Sequence, residues 1–222
     1  MTSNALTEIL PLAIIIAIIA VVAYFVIKRN VRQRTEAMHT LAQKQPGLEL
    51  IEKEPVFPSI RLLKKITKSP YMRGTIQNRA LLLDHYYADK KEFTRLQVAL
   101  HCSVDFKTII SSTSVFRRRW ASRNLKKVTI EFLPSVNVLS TAPEFTTIIL
   151  SLPETAQAIE LLWKTNAPKG FVKIEGNTIY YSGIGALRGS RRIEQMSQLI
   201  NICTLLAESI EASLEVINPS PQ

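Results

Sequence analysis

Cysteine is nearly missing from this chain: there are two in 222 residues, Cys102 and Cys203. A disulfide framework is therefore excluded, and a cytoplasmic domain would keep both thiols reduced. Histidine is as scarce, with only His39, His85 and His101. No two of these stand at metal-ligand spacing, and neither HExxH nor CxxC occurs. His101 and Cys102 are neighbours in an expected strand, so their side chains leave on opposite faces and cannot act as a Cys–His pair. A Walker motif is absent, and Ser182-Gly183 lacks the upstream glycine of a GxSxG elbow. Asp84, Asp89 and Asp105 show no pairing that acid–base chemistry would use, and read as turns and strand ends. No catalytic residue, cofactor or metal ligand is expected. No period of 20–50 residues recurs, which excludes a repeat architecture.

Glycine numbers only seven, yet three of them fall at Gly183, Gly185 and Gly189. This stretch follows a strand and precedes a helix, as a dinucleotide loop would. Its spacing, GxGxxxG, is one residue off the fingerprint, and the strand before it belongs to a hairpin rather than a parallel unit. Glu208 and Glu211, about twenty residues on, lie inside a helix rather than at a strand end. A plain turn is the simpler reading.

What the chain has in quantity is a long apolar run. Residues 9–27, ILPLAIIIAIIAVVAYFVI, carry no charge, and thirteen of the nineteen are Ile, Leu, Val or Phe. A helix of that length spans about 28 Å, close to the hydrocarbon thickness of a bilayer. Insertion of those thirteen is favourable by about 5 kcal/mol. Residues 1–8 hold no Lys or Arg, which argues against a cleaved signal peptide, and the run is too long for an ordinary core helix. The run is expected to be a transmembrane helix. Lys28, Arg29, Arg32 and Arg34 follow it at once, so the positive-inside bias places that flank and everything after it in the cytoplasm. The run has no glycine, hence no GxxxG, and small-residue helix pairing rests on Ala13, Ala17 and Ala20 alone.

Residues 30–45 contain good helix formers and no Gly or Pro, so the anchor is expected to run on until Pro46-Gly47. Met38, Leu41 and Ala42 make a thin apolar stripe, consistent with a helix along the headgroups or a solvated stalk. Residues 48–54 and the prolines 55 and 58 read as a linker. Residues 60–68 have helical spacing. Residues 73–76 and 80–86 read as paired strands around Gln77-Asn78. Residues 93–103 alternate with a period of two, and 106–111 and 128–132 are further strand candidates. Residues 136–140 and 145–150 are short apolar runs. Ser151-Leu152-Pro153-Glu154 has the capping-box spacing before a helix bearing Ile159, Leu162 and Trp163. A Gly176-Asn177 turn makes residues 171–182 a β-hairpin. A helix over about 190–215 closes the chain, with Ile193, Met196, Ile200, Cys203, Ala207, Ile210 and Leu214 on one face. Leu199 and Leu206 widen that face, which favours packing on a sheet over a coiled coil and puts Cys203 in the core.

The fold class expected is α+β: an N-terminal transmembrane helix, then a mostly antiparallel sheet packed by helices, with a long C-terminal helix. The expected division is a short outer segment 1–8, the span 9–27, a basic juxtamembrane helix and linker 28–54, a cytoplasmic domain 55–216 and a tail 217–222.

Net charge is +10 and the pI about 9.8, which suggests acidic surfaces as partners. Arg61, Lys64, Lys65, Lys68, Arg73 and Arg79 lie in one stretch without acid, and Arg117, Arg118, Arg119, Arg123, Lys126 and Lys127 in another, with Trp120 inside it. Arginine on phosphate and Trp120 on a base would suit nucleic acid. Tethering to an anionic leaflet favours lipid instead, and a merely solvated surface is the plain alternative. Lys28, Arg29, Arg32, Arg34, Arg117, Arg118 and Arg119 are the expected headgroup-binding residues.

Three short elements, Met72-Arg73-Gly74-Thr75, the strand 93–101 and Thr141-Ala142-Pro143-Glu144-Phe145, resemble those of a group of bacterial single-pass membrane proteins with a cytoplasmic α+β domain. That resemblance implies a strand at 146–150, a capped helix at 154–165, a hairpin at 171–182 and a long helix at 190–215, and it implies no activity. The leading expectation is a non-enzymatic interaction module for a protein partner or the anionic lipid surface. The alternative is a membrane-tethered enzyme or nucleotide-binding domain using the 183–189 turn.

Overall fold

In a computed structural model the chain is described over residues 3–51, 70–88, 91–112, 124–131, 136–166 and 169–217. The expected helix over 60–68 lies outside these residues. The fold is α+β: a seven-stranded antiparallel sheet with helices packed against it.

The first helix, α1 (Ser3–Lys44), is one unbroken element of 42 residues that includes the whole apolar run. It ends at Pro46-Gly47, where Gly47 takes φ +100°; a side chain there would also meet the Thr75 carbonyl. The C-terminal part of α1 is neither a stalk nor a headgroup helix, which corrects the expectation for residues 30–45. Ala37, Met38 and Leu41 are buried in the main hydrophobic core. The segment after it also belongs to the fold. β1 (Leu48–Ile51) pairs with β2 (Tyr71–Ile76) rather than serving as linker.

β2 turns into β3 (Arg79–Ala88) through Gln77 and Asn78, at φ 48° and 61°. Two successive left-handed residues are the signature of the type I′ hairpin turn, whose twist matches that of the strands. β4 (Lys91–Ser112) is the longest strand and pairs with β3, β6 (Val136–Ser140) and β7 (Gly170–Ile184). Residues 93–103 and 106–111, expected as separate strands, are thus one strand. β5 (Lys126–Val128) pairs with β6 and begins two residues earlier than the expected 128–132; Phe132 lies outside the described residues.

β7 doubles back on itself at Gly176, as the Gly-Asn pair suggested. The Ile184 amide donates to the Lys169 carbonyl at 2.9 Å, and the Phe171 and Tyr180 rings lie 5.9 Å apart. Gly176 has φ +60° and Asn177 does not share that sign, which is the pattern of a type II′ turn. β4 wraps round this hairpin. Its residues 93–99 pair with the returning arm and 107–111 with the outgoing arm, with register shifts in between. Lys91 and Ser112, the two ends of β4, therefore emerge at the same end of the sheet as Lys169 and Ile184.

Residues 143–151 form helix α2 (Pro143–Ser151), not the strand at 146–150 that the resemblance implied. Proline in the first turn, Glu144 beside it, and Thr146, Ile149 and Leu150 buried at helical spacing explain the difference. Leu152 precedes a proline and is extended, at ψ 131°, which stops α2. It then starts α3 (Pro153–Asn166), accepting from the Ala156 amide at 2.9 Å. Ser151 therefore ends one helix instead of capping the next. The long helix α4 (Gly189–Ile217) lays Ile193, Met196, Leu199, Ile200, Cys203, Leu206, Ala207 and Ile210 into the core, against the sheet, α1 and α3.

Candidate functional site

The described side chains of the apolar run in α1 are not covered by the domain. Each Ile, Val and Phe from Ile14 to Ile27 is between 44% and 62% exposed, and this helix is long and apolar enough to cross a membrane. Tyr24 and Lys28 close the apolar stretch, with the Lys28 ammonium 6.0 Å from the Tyr24 ring centre, an arrangement suited to an interface.

The domain begins to grip α1 only three residues past Ile27. Asn30 Oδ1 accepts from Arg188 Nη1 at 2.9 Å. One turn further, Arg34 Nη2 meets Glu92 Oε1 at 2.8 Å, and Arg188 Nη2 reaches the other Glu92 oxygen at 3.1 Å. The Glu92 carbonyl accepts from the Gly185 amide at 2.8 Å, and Arg192 Nη2 donates to the Ile184 carbonyl at 2.9 Å. At 1.5 Å per residue Asn30 lies about 5 Å, and Arg34 about 10 Å, beyond Ile27 along the axis. The headgroup layer on each side of a bilayer is about 5–8 Å thick. One end of the sheet is thus bolted to α1 within about 10 Å of the end of the apolar run.

Arg34 belongs to that bolt. Its side chain is 7% exposed, so the expectation that it binds headgroups does not hold: the domain encloses it against Glu92. Lys28, Arg29 and Arg32 remain exposed, with Arg32 bonded to Glu36 at 2.7 Å. Arg117, Arg118 and Arg119, together with Trp120, Arg123, Arg61, Lys64, Lys65 and Lys68, lie outside the described residues. Among the other basic positions, Arg79 is buried in a bidentate pair with Glu211 at 2.6 and 2.8 Å. Arg73, Lys126 and Lys127 are exposed.

The 183–189 turn is filled by its own chain. Leu187 is buried, Arg188 spans Asn30 and Glu92, and a side chain at Gly183 would strike the Tyr181 hydroxyl. Gly185 and Gly189, at φ +103° and +74°, turn the backbone from β7 into α4.

His85 sits just behind the bolt. Thr94 Oγ1 donates to the Gly185 carbonyl at 2.7 Å, so at 3.2 Å it accepts from His85 Nδ1. His85 Nε2 is then buried without a hydrogen-bond partner. Burial first, and the Arg34 charge second, push its pKa down to about 4. On the sheet face away from α4, Arg95 grips Asp84 at 2.8 and 2.5 Å and lies over the Tyr86 ring at 5.5 Å. Tyr86 and Ser182 hydroxyls share a 2.8 Å bond. A shallow open groove of about 710 Å³ crosses that face, lined by Gly47, Glu49, Arg73, Leu82, Gln97 and Thr178 among others.

At the far end, the His101 amide donates to Glu211 Oε1 at 2.7 Å. Burial opposes ionisation of Glu211, but these bonds from Arg79 and His101 prevail and hold its carboxyl below the usual range. Cys203 is fully buried, and burial pushes its thiol up to about 12, as a core cysteine requires. Cys102 is half-buried and its thiol is raised, chiefly by burial. Among the described residues no three of His, Cys, Asp and Glu come together as a metal site would need. Sequence reasoning missed the bolt because its parts, Asn30, Arg34, Glu92 and Arg188, are up to 158 residues apart and fit no local motif.

No family model and no curated protein matches the chain. Among solved structures it is similar to the mycobacterial trehalose monomycolate transport factor A, TtfA, with a TM-score of 0.54 and 11% identity over 86% of this chain and 97% of that one. At that identity the likeness shows a shared fold.

Proposed function

We propose that this is a single-pass membrane protein whose cytoplasmic α+β domain is a non-enzymatic interaction module, an accessory factor of a membrane process. The observation that carries this reading is the continuity of α1. One helix leaves the apolar run and enters the hydrophobic core with no hinge, so the domain is held rigidly at the bilayer instead of trailing on a linker. Three carboxylates of the described domain are committed to guanidinium partners: Glu92 to Arg34 and Arg188, Asp84 to Arg95, Glu211 to Arg79. A carboxylate committed to a guanidinium in this way is a structural partner rather than a poised acid or base.

The similar fold of TtfA, a transport factor by name, supports an accessory role in membrane transport for this chain. The basic flank at Lys28 and Arg29 supports a cytoplasmic domain. Fusing to the C-terminus a reporter active only outside the cytoplasm tests the orientation: no activity is expected, and activity would overturn it. Thermal-shift titration of the detergent-solubilised chain with nucleotides and divalent metals tests the non-enzymatic part. No saturable shift is expected. One that disappears on changing Gly185 to Val would return the reading to a nucleotide-binding domain.

A further inference from the structure

The end of the domain from which α1 emerges exposes an apolar residue among basic ones. Ile184, where β7 ends, is a large apolar residue left 43% exposed. It is fixed there, its amide bonded to the Lys169 carbonyl and its own carbonyl to Arg192. Exposed basic residues share this end: Lys169, whose carbonyl takes the Ile184 amide, Lys91, two residues before the Phe93 that pairs with Ile184, and Arg191 in the first turn of α4. Lys28 and Arg29 lie on α1 just beyond the Asn30–Arg188 contact. Among the described residues, Glu92 on this end is 13% exposed and held by Arg34 and Arg188, and Glu36 is paired with Arg32. The described surface here is therefore cationic around one apolar tip.

We infer that this end, with Ile184 at its centre and Lys91, Lys169 and Arg191 around it, docks on anionic lipid headgroups. The inference deepens the membrane-module reading and rests on it. Two independent features agree. Geometry puts this end within about 5–10 Å of the hydrocarbon boundary, because α1 emerges from it. Chemistry gives it the cation-plus-apolar-tip composition of an interfacial contact, where acyl chains take the Ile184 side chain and phosphates take the charges. Docking would fix the domain's tilt and leave the open sheet face and groove turned sideways, accessible to other molecules.

The test uses the full chain in nanodiscs. Ile184→Cys in a Cys102→Ser background carries an apolar fluorophore, while fully buried Cys203 stays unlabelled. Spin-labelled lipid reports contact by quenching. Discs of phosphatidylcholine with phosphatidylglycerol should quench severalfold more than discs of phosphatidylcholine alone, and high salt should abolish the difference. Each basic residue near an anionic surface strengthens attraction about fivefold, so Lys91→Gln, Lys169→Gln and Arg191→Gln together should weaken docking about a hundredfold. Equal quenching in both discs would show tethering alone, and absent or salt-insensitive quenching would show no anionic contact; either overturns the inference. If the triple variant does not fold, the salt titration on native charges decides. A nucleotide-induced thermal shift would sink the non-enzymatic reading without touching this result, so the two fail separately.

Discussion

Truncating Leu41 asks whether the segment just past the apolar run is part of the folded core. Leu41 has no exposed surface, and Met38, one turn earlier, has none either. A Leu→Ala change at a fully buried site loses the transfer energy of the removed methyls and leaves a cavity, together about 3–4 kcal/mol. For a domain of this size each kcal/mol lowers Tm by about 2–4 °C, so a drop of about 10 °C is expected. The control is Gln43→Ala, two residues on but exposed, which should move stability by less than about 0.5 kcal/mol. Thermal unfolding of the full chain in detergent, followed by near-UV circular dichroism, reads the α+β domain while the apolar helix stays helical. Leu41→Ala behaving like Gln43→Ala would refute the packing and restore a solvated stalk.

Three further outcomes follow from the geometry. Glu92→Gln removes the carboxylate from the buried Arg34 guanidinium, 7% exposed, and should cost about 3 kcal/mol in urea unfolding; a change below about 1 kcal/mol would show the pair to be solvent-screened. His85 titrates at about 4 when folded against an ordinary 6.5. The unfolded chain thus binds the extra proton between those values, and stability present above pH 6.5 falls as pH drops toward 4, by about 3 kcal/mol at most. The difference in unfolding free energy between native protein and His85→Gln, measured from pH 7 to 4, should shrink by that order; a constant difference contradicts the assignment. Ile15→Arg with Ile18→Arg places two charges at the centre of the apolar run, each costing about 2.5–3.5 kcal/mol, against about 5 kcal/mol favouring insertion. The double variant should leave the carbonate-washed membrane fraction, and undiminished retention would count against a spanning helix.

Local signals made most of the fold legible. The apolar run, the period-two alternation around residue 96, the Gln77-Asn78 and Gly176-Asn177 turns and the wide stripe of α4 each fit inside a window of a few residues. What escaped depended on distant partners. Met38 and Leu41 look like a thin stripe until α4 and the sheet are present to cover them. Residues 48–51 look like a linker because an edge strand this short announces itself only through its pairing with β2. The apolar run after Pro143 fits helix and strand alike, and the burial of Thr146 against Thr108 and Ser140 belongs to the helix. The candidate site was half legible. Lys28 and Arg29 stand out in the sequence by their place beside the apolar run, and the structure leaves them exposed, whereas the enclosure of Arg34 required Glu92, and the tip at Ile184 required knowing which end of the sheet α1 leaves.

A helix that runs unbroken from the apolar stretch into the domain core leaves a periodic signature along its length. A spin-label mobility and oxygen-accessibility scan with single cysteines at each position from 24 to 44, in nanodiscs, measures it most directly. A continuous helix gives periodicity without interruption through residues 28–34, with labels at 37, 38 and 41 strongly immobilised and those at 39, 40 and 43 free. Loss of periodicity between 28 and 34, with high mobility at 38 and 41, would mean a flexible tether and would contradict it.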